Sequence, residues 1–228
     1  DYNGMIKPRL KVFVDFDGTI TLEDVGEAIF RKFGDDEKVN QIIEDLLRDK
    51  ISSRQCWDEL CDSVNVVSKN ELDKFIDLID VDPTFLPFVK FCSDNELELV
   101  VLSDGFDYYI DRLFNKAGLT GIKYYSNKLF VNEKGILKAE YPYFDNDSPT
   151  SANCKRNHII NHSSDDDYTI YIGDGNSDKD AAQYCDFIFG KDALARFCSM
   201  ERISFYPFNN FEDVKSKIES LDDRWNKI

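Results

Sequence analysis

Two carboxylates end the first apolar stretch of the chain, where a buried strand is not expected to carry charge. The segment reads VFVDFDGTIT over residues 12–21, so Asp15 and Asp17 lie directly before Gly18 and Thr19. Two like charges about 4 Å apart repel by roughly 4 kcal/mol at an effective dielectric constant of about 20. The pair therefore indicates a site where a bound cation or proton uptake offsets the negative charge.

Similar polar groups follow two later apolar runs. The run LELVVLS ends in Ser103 and continues into Asp104, and the run TIYIG is followed by DGNSD, which contains Asp174 and Asp178. Ligands of an open parallel sheet bind at the carboxyl ends of its strands, so we expect these groups to meet there. A set of carboxylates favours Mg²⁺ over zinc, and Mg²⁺ in such a site commonly binds a phosphate.

Other groups near these runs could hold the oxygens of that phosphate. Backbone N–H groups after Asp15 are suited to this, as are the hydroxyls of Thr19 and Ser103. Lys155 begins a predicted helix in the segment NCKRNHIINH and could offset the negative charge of the phosphate. These residues together predict a phosphate site beside the cation.

An alternation of strands and helices is predicted to position these residues. Residues 10–15 form a short apolar strand, and after Pro83 further apolar runs alternate with helical segments. This alternation predicts an α/β fold with a Rossmann-like parallel sheet. Residues 123–143 predict an antiparallel hairpin with its turn at NEKG.

An all-helical insertion is predicted directly after the first strand. Residues 39–50, for example, carry apolar side chains at the spacing of one helix face. We therefore predict a core domain made of residues 1–20 and 83–228. Residues 21–82 form a helical cap, which leaves the core next to the carboxyl end of a strand and is expected to cover the site.

Four motifs resemble those of the haloacid dehalogenase superfamily. DFDGT at residues 15–19 is similar to the first motif, VVLSD at 100–104 to the second, and GDGNSDKDAA at 173–182 to the fourth. Lys155 resembles the lysine of the third motif, and we prefer it to Lys138 on spacing. The helical insertion resembles the C1 cap subclass, and within it the phosphoserine phosphatases and the related methionine-salvage phosphatases.

The resemblance implies a hydrolase that uses Mg²⁺ and forms an aspartyl-phosphate intermediate. Asp15 would be the nucleophile, and Asp17 would protonate the leaving alkoxide and then deprotonate the attacking water. Asp15, the backbone carbonyl of Asp17 and Asp174 would ligate Mg²⁺. Asp178 would ligate the ion directly or position Lys155.

The predicted phosphate site comprises Thr19, Ser103, Asp104 and Lys155, and its ligand would be a small phosphorylated metabolite. Asp104 replaces a glycine that is usual in the phosphoserine phosphatase branch. It would either alter substrate selection or cap a helix over residues 106–117, and we favour the cap. Asp24 would either bind a substrate amine or cap a helix over residues 24–33, and both interpretations stay open.

Charge and composition disfavour several classes of protein. The chain has 28 Lys and Arg residues against 44 Asp and Glu residues, a net charge of −16, which disfavours nucleic acid and anionic membrane as partners. The sequence contains no apolar run long enough to span a membrane, and its N-terminal segment lacks the apolar centre of a signal peptide. The six scattered cysteines then indicate reduced thiols in a cytoplasmic protein.

Two other functions would use similar residues. A receiver-type phospho-acceptor also gathers acids, a hydroxyl and a lysine around Mg²⁺, but it is shorter and lacks an acid in the place of Asp17. A phosphomutase or phosphotransferase on the same scaffold would form the same intermediate, and the sequence leaves this alternative open. A dinucleotide-binding fold is disfavoured, because GDGNSD lacks the third glycine of that motif.

Overall fold

The computed structural model describes residues 9–225. Two sequence predictions therefore lie partly outside the described residues. These are the first part of the predicted core domain, residues 1–8, and the N-terminal segment in which no signal peptide is expected. Within the described part of the chain, no helix combines the length and the apolar character needed to cross a membrane.

Seven strands of the described chain form one sheet in the order β4-β3-β2-β1-β5-β6-β7. The pairs β1–β5, β5–β6 and β6–β7 are parallel, whereas β3–β4 is antiparallel. The strands are β1 (Arg9–Asp15), β2 (Glu98–Phe106), β3 (Lys123–Val131), β4 (Leu137–Glu140), β5 (Asp167–Gly173), β6 (Phe187–Gly190) and β7 (Tyr206–Pro207). The α/β class and the mostly parallel sheet predicted from the sequence are confirmed.

Ten α-helices connect or flank these strands within residues 9–225. They are α1 (Val25–Phe33), α2 (Asp36–Leu47), α3 (Ser53–Ser63), α4 (Lys69–Ile76), α5 (Phe85–Asp94), α6 (Asp107–Lys116), α7 (Lys155–His162), α8 (Lys179–Ala182), α9 (Asp192–Glu201) and α10 (Phe211–Trp225). A 3₁₀ turn, Asn176–Asp178, precedes α8. The predicted all-helical stretch after β1 is confirmed, since α1 to α4 follow one another before β2.

The chain divides into two compact units. The first comprises the described residues of Asp1–Val14, Pro83–Val100 and Arg156–Ile228, and the second comprises Asp15–Asp82 and Val101–Lys155. The division predicted from the sequence, a core of residues 1–20 and 83–228 with a cap of 21–82, stays a prediction.

In the first unit, β1 and β5 set the positions of the residues that follow them. Val12, Phe13 and Val14 are fully buried, as expected for a strand inside a parallel sheet. Strands β1 and β5 pair in parallel, and the last pair of residues is Val14 and Ile172. Strand β1 ends at Asp15 and β5 ends at Gly173, and each of these is the first residue of a motif that carries carboxylates.

In the second unit, aromatic side chains pack around the segments that carry the first two motifs. The ring of Phe16 stacks on Tyr109 with a centroid distance of 5.9 Å and meets Phe114 edge-on at 5.4 Å. Trp57 of α3 packs edge-on against Phe106 at 4.9 Å. These rings fix the end of β2 and the start of α6 against the turn that follows β1.

The predicted hairpin is confirmed. Strands β3 and β4 pair from Lys128–Glu140 to Val131–Leu137, with the turn at residues 132–135. Gly135 has a φ of +75°, which glycine adopts without steric cost, and the Asn132 side chain accepts hydrogen bonds from two backbone N–H groups of the turn.

Candidate active site

Asp15 and Lys155 form a buried ion pair in the second unit. The Lys155 Nζ atom donates to Asp15 Oδ1 at 2.6 Å, and the two residues are only 3% and 5% exposed. Removing two charges from water is costly, so a pair this well enclosed needs close contact between its members. Lys138 instead lies on β4, where its exposed side chain contacts Glu140. The structure therefore brings Lys155, and not Lys138, to Asp15.

Asp17 is held at both of its carboxylate oxygens. Oδ1 accepts hydrogen bonds from the backbone N–H groups of Val25 at 3.0 Å and Gly26 at 3.3 Å, at the N-terminus of α1. Oδ2 accepts from the hydroxyls of Tyr109 at 2.9 Å and Ser103 at 3.2 Å. Burial raises the pKa of Asp17, and the hydrogen bond from Tyr109 opposes this shift.

Tyr109 is a site residue that the sequence reasoning missed. Its ring packs against Phe16, and its hydroxyl reaches the carboxylate of Asp17. Burial raises the pKa of Tyr109 well above its usual value, so the hydroxyl keeps its proton and donates it. No motif signals this contact, because it joins residues 92 positions apart in the chain.

Gly105 leaves the space that the Tyr109 hydroxyl occupies. A Cβ atom built on Gly105 would lie 1.6 Å from the Tyr109 hydroxyl oxygen and 2.7 Å from Asp17 Oδ2. Any side chain at this position would therefore displace the contact between Tyr109 and Asp17. The glycine that follows Asp104 in the second motif thus has a steric role.

Ser103 and Thr19, the two predicted hydroxyl groups of the phosphate site, are both buried. Ser103 Oγ accepts from the backbone N–H of Gly105 at 2.9 Å and contacts Asp17, so it lies beside the carboxylates. Thr19 lies in the turn after β1. Gly18 adopts a φ of +76° in this turn, and the Phe16 carbonyl accepts from the Thr19 N–H at 3.3 Å.

The interpretation of Asp104 as a helix cap is wrong. Strand β2 continues beyond the predicted end at Ser103, and α6 begins after Phe106, whose side chain cannot accept a capping hydrogen bond. The Asp104 carboxylate instead contacts residues 53, 152 and 153. Its Oδ1 atom accepts from the backbone N–H of Asn153 at 2.7 Å and that of Ala152 at 3.2 Å, and its Oδ2 atom accepts from the Ser53 hydroxyl.

Asp24 is the N-cap of α1. Its side chain accepts from the backbone N–H of Glu27 at 2.8 Å, so the capping interpretation is confirmed. The alternative role, binding a substrate amine, stays a prediction.

The first unit carries the two other predicted acids. Asp178 is fully buried, and its Oδ2 atom accepts from the N–H groups of Asp174 at 3.1 Å and Gly175 at 2.9 Å. Its Oδ1 atom accepts from the Tyr171 hydroxyl at 2.5 Å. Asp178 therefore orders the turn on which Asp174 lies. The two predicted metal ligands of this unit, Asp174 and Asp178, thus lie on one ordered turn.

A family model and two curated relatives match most of the chain. The model of a family described as "Putative Phosphatase" matches residues 10–201. The Pdp3-interacting factor 1 of Schizosaccharomyces pombe is 30% identical over 226 residues, covering 94% of this chain and 97% of that protein. The 2-hydroxy-3-keto-5-methylthiopentenyl-1-phosphate phosphatase of Bacillus mycoides is 28% identical over 213 residues, covering 93% and 97%.

Two solved structures share the fold. One is a phospho-aspartyl intermediate analogue of phosphoserine phosphatase, with a TM-score of 0.70 and 18% identity over 92% of this chain and 99% of that chain. A substrate-bound phosphoserine phosphatase complex gives a TM-score of 0.69 and 17% identity over 92% and 98%. At these identities the likeness concerns the fold.

Fold, motifs and relatives together define a phosphatase of the haloacid dehalogenase superfamily, as the four motifs predicted. Within that class, the chain belongs to the family described as "Putative Phosphatase". The protein is accordingly a hydrolase.

Proposed function

We propose that the protein hydrolyses the phosphomonoester of a small metabolite, with Mg²⁺ as cofactor and Asp15 as the nucleophile. The observation that carries this proposal is the buried contact of 2.6 Å between Lys155 and Asp15, with Asp17 held nearby at the N-terminus of α1. The ammonium group stabilises negative charge on the carboxylate, and the carboxylate is the form that acts as a nucleophile. The same cation lies where it could bind the oxygens of a transferring phosphoryl group.

The reaction proceeds in two displacements. In the first, an oxygen of Asp15 attacks phosphorus, the bond from phosphorus to the alcohol oxygen breaks, and Asp17 gives its proton to the departing alkoxide. In the second, water attacks the aspartyl-phosphate, Asp17 takes a proton from that water, and inorganic phosphate leaves Asp15. Ser103, Thr19 and Lys155 bind the phosphoryl oxygens throughout.

The hydrogen bonds of Asp17 assign its proton to one oxygen. Oδ1 faces two backbone N–H groups, which can only donate hydrogen bonds. Oδ2 faces the hydroxyls of Tyr109 and Ser103, which can donate or accept as the proton comes and goes. We therefore assign the transferred proton to Oδ2, the oxygen next to the predicted phosphate-binding serine.

Asp15, Asp174 and Asp178, with the backbone carbonyl of Asp17, would hold Mg²⁺. Their chemistry fits the ion, because Mg²⁺ in proteins prefers carboxylate and carbonyl oxygens. When bound, Mg²⁺ offsets the repulsion between the nucleophile and the phosphate dianion.

The burial of the site favours small substrates. Asp15, Ser103 and Lys155 are each at most 5% exposed, so a phosphate on a bulky protein surface would reach them poorly. Relatives and structural neighbours named for a methionine-salvage phosphate ester and for phosphoserine suggest two substrates to try first.

The six cysteines are free thiols, which supports the predicted cytoplasmic location.

The proposal is tested by measuring phosphate release from a panel of small phosphomonoesters, with Mg²⁺ or with EDTA. The panel includes phosphoserine, sugar phosphates, vitamin phosphates and a methionine-salvage ester, and the Asp15→Asn variant serves as the blank. We expect release that depends on Mg²⁺ and is absent from the variant. A stable phosphoprotein after treatment with acetyl phosphate, with no release from any ester, would instead indicate a phospho-acceptor or a mutase.

A further inference from the structure

The side chain of Asp104 makes contacts that neither helix capping nor phosphate binding explains. A carboxylate next to a phosphate site repels the ligand, yet Asp104 directly follows the predicted phosphate-binding Ser103 in β2. Burial raises the pKa of Asp104, and hydrogen bonds from Ser53 and from the backbone of residues 152–153 oppose that shift. A buried carboxylate costs free energy unless hydrogen bonds or charges compensate it, so these contacts account for its burial.

The contacts of Asp104 converge on the segment that leads into α7. Oδ1 accepts from two successive backbone N–H groups, those of Ala152 and Asn153. The Asn153 side chain adds two contacts, since its Nδ2 atom donates to the Ser103 carbonyl at 2.8 Å and to the Tyr125 carbonyl at 3.1 Å. Three hydrogen bonds therefore join residues 152–153 to residues 103–104, and in each of them residue 152 or 153 is the donor.

The backbone of Asp104 is fixed as firmly as its side chain. Its carbonyl accepts from the Trp57 indole N–H at 2.8 Å and from Asn127 Nδ2 at 2.6 Å. The Ser53 hydroxyl, on the first residue of α3, donates to Oδ2. Asp104 therefore connects α3, β3 and the segment before α7, all within the second unit.

Lys155 lies two residues after Asn153 and is the first residue of α7. Its ammonium group has to reach Asp15 in a buried position, where a small shift of the backbone would break the contact of 2.6 Å. The segment before α7 is irregular and has few backbone hydrogen bonds of its own, so side chains must hold it.

We propose that Asp104 is a positioning residue, whose carboxylate fixes residues 152–153 and thereby holds Lys155 against Asp15. This inference rests on the proposed roles of Lys155 and Asp15. It replaces the predicted phosphate contact of Asp104 with an indirect role in the same reaction. It also accounts for the departure from glycine at this position, because glycine has no side chain that could accept hydrogen bonds from residues 152–153.

The inference is tested with a series of variants and p-nitrophenyl phosphate as substrate. Asp104→Ala removes all the side-chain contacts and should lower kcat/KM by up to about 100-fold, the scale of a misplaced catalytic group. Asp104→Asn can still accept from the two N–H groups and donate to Ser53, so it should recover most of the activity. Asp107→Ala is the matched control, because Asp107 also accepts a backbone N–H, that of Leu129, without touching residues 152–153.

Amide hydrogen exchange supplies a readout that does not depend on activity. We expect Asp104→Ala to speed exchange at residues 152–155, while Asp107→Ala does not and the urea midpoints of both variants stay close to each other. Unchanged exchange at 152–155, or full activity of Asp104→Ala, would overturn the inference. Wild-type protein that releases no phosphate in the presence of Mg²⁺ would overturn the proposed function instead, and the exchange result would still decide whether Asp104 holds the segment.

Discussion

A single methyl group added at Gly105 should disrupt the contact between Tyr109 and Asp17. The new Cβ atom would lie 1.6 Å from the Tyr109 hydroxyl oxygen and 2.8 Å from Cζ of the same ring. Tyr109 is fully buried, with Phe16 stacked on its ring at 5.9 Å and Phe106 edge-on at 6.3 Å. The ring therefore has no free space into which it can retreat.

The expected loss of stability has two parts. Overpacking a buried position costs about 1–3 kcal/mol of unfolding free energy. Leaving the buried carboxyl group without this hydrogen bond costs about 1–3 kcal/mol more. Gly105→Ala should therefore lower the free energy of unfolding by about 2–6 kcal/mol, a large part of the 5–15 kcal/mol typical of a folded domain.

Urea unfolding of a double-mutant cycle measures this effect. Tyr109→Phe removes the oxygen nearest to the new methyl group, so Gly105→Ala should cost at least about 1 kcal/mol less in that background. Gly190→Ala is the control, because its Cβ would meet no atom closer than 3.4 Å. If Gly105→Ala costs less than about 0.5 kcal/mol, or costs the same in both backgrounds, the packing argument is refuted.

Three further predictions follow from single groups. Burial, with a smaller contribution from His162, lowers the pKa of His158 to about 4. As the pH falls, the unfolded state therefore binds a proton at His158 before the folded state does. The free energy of unfolding falls by roughly 3 kcal/mol between pH values of about 6.5 and about 4. Thermal melts of His158→Gln across this range should show a weaker dependence on pH, and an unchanged slope would contradict the assignment. Asp24→Ala should cost about 1 kcal/mol of unfolding free energy and Asp24→Ser much less, because serine also caps α1. A large loss of activity on amine-bearing substrates with Asp24→Ser would then reveal a substrate role. Treatment with EDTA should abolish phosphate release and added Mg²⁺ should restore it, whereas activity that resists chelation would exclude the proposed cofactor.

Local patterns predicted the strands and most of the helices. Apolar runs at 10–15 and 169–173 form buried parallel strands, because burial on both faces selects continuous apolar sequence. Helix α5 was not predicted. Its segment FLPFVKFCSD is apolar on several faces and contains Pro87, which is tolerated because it lies in the first turn of the helix.

The parts of the site that could not be predicted depend on tertiary packing. Asp104 looked like a helix cap because a helix begins close to it in sequence, but β2 continues to Phe106 and turns the carboxylate towards residues 152–153. The Tyr109 hydroxyl reaches Asp17 only because Gly105 leaves room for it. Neither contact produces a spacing that a single sequence displays.

The central claim is that Asp15 becomes phosphorylated during turnover. The most direct measurement is borohydride trapping, in which the wild-type protein is quenched during turnover with Mg²⁺ and substrate, reduced, and mapped by peptide mass spectrometry. Reduction of an aspartyl-phosphate converts that residue to homoserine. We predict homoserine at position 15 and none at position 17, with Asp15→Asn giving no trapped product. Trapping at another residue, or rapid turnover by Asp15→Asn, would contradict the account.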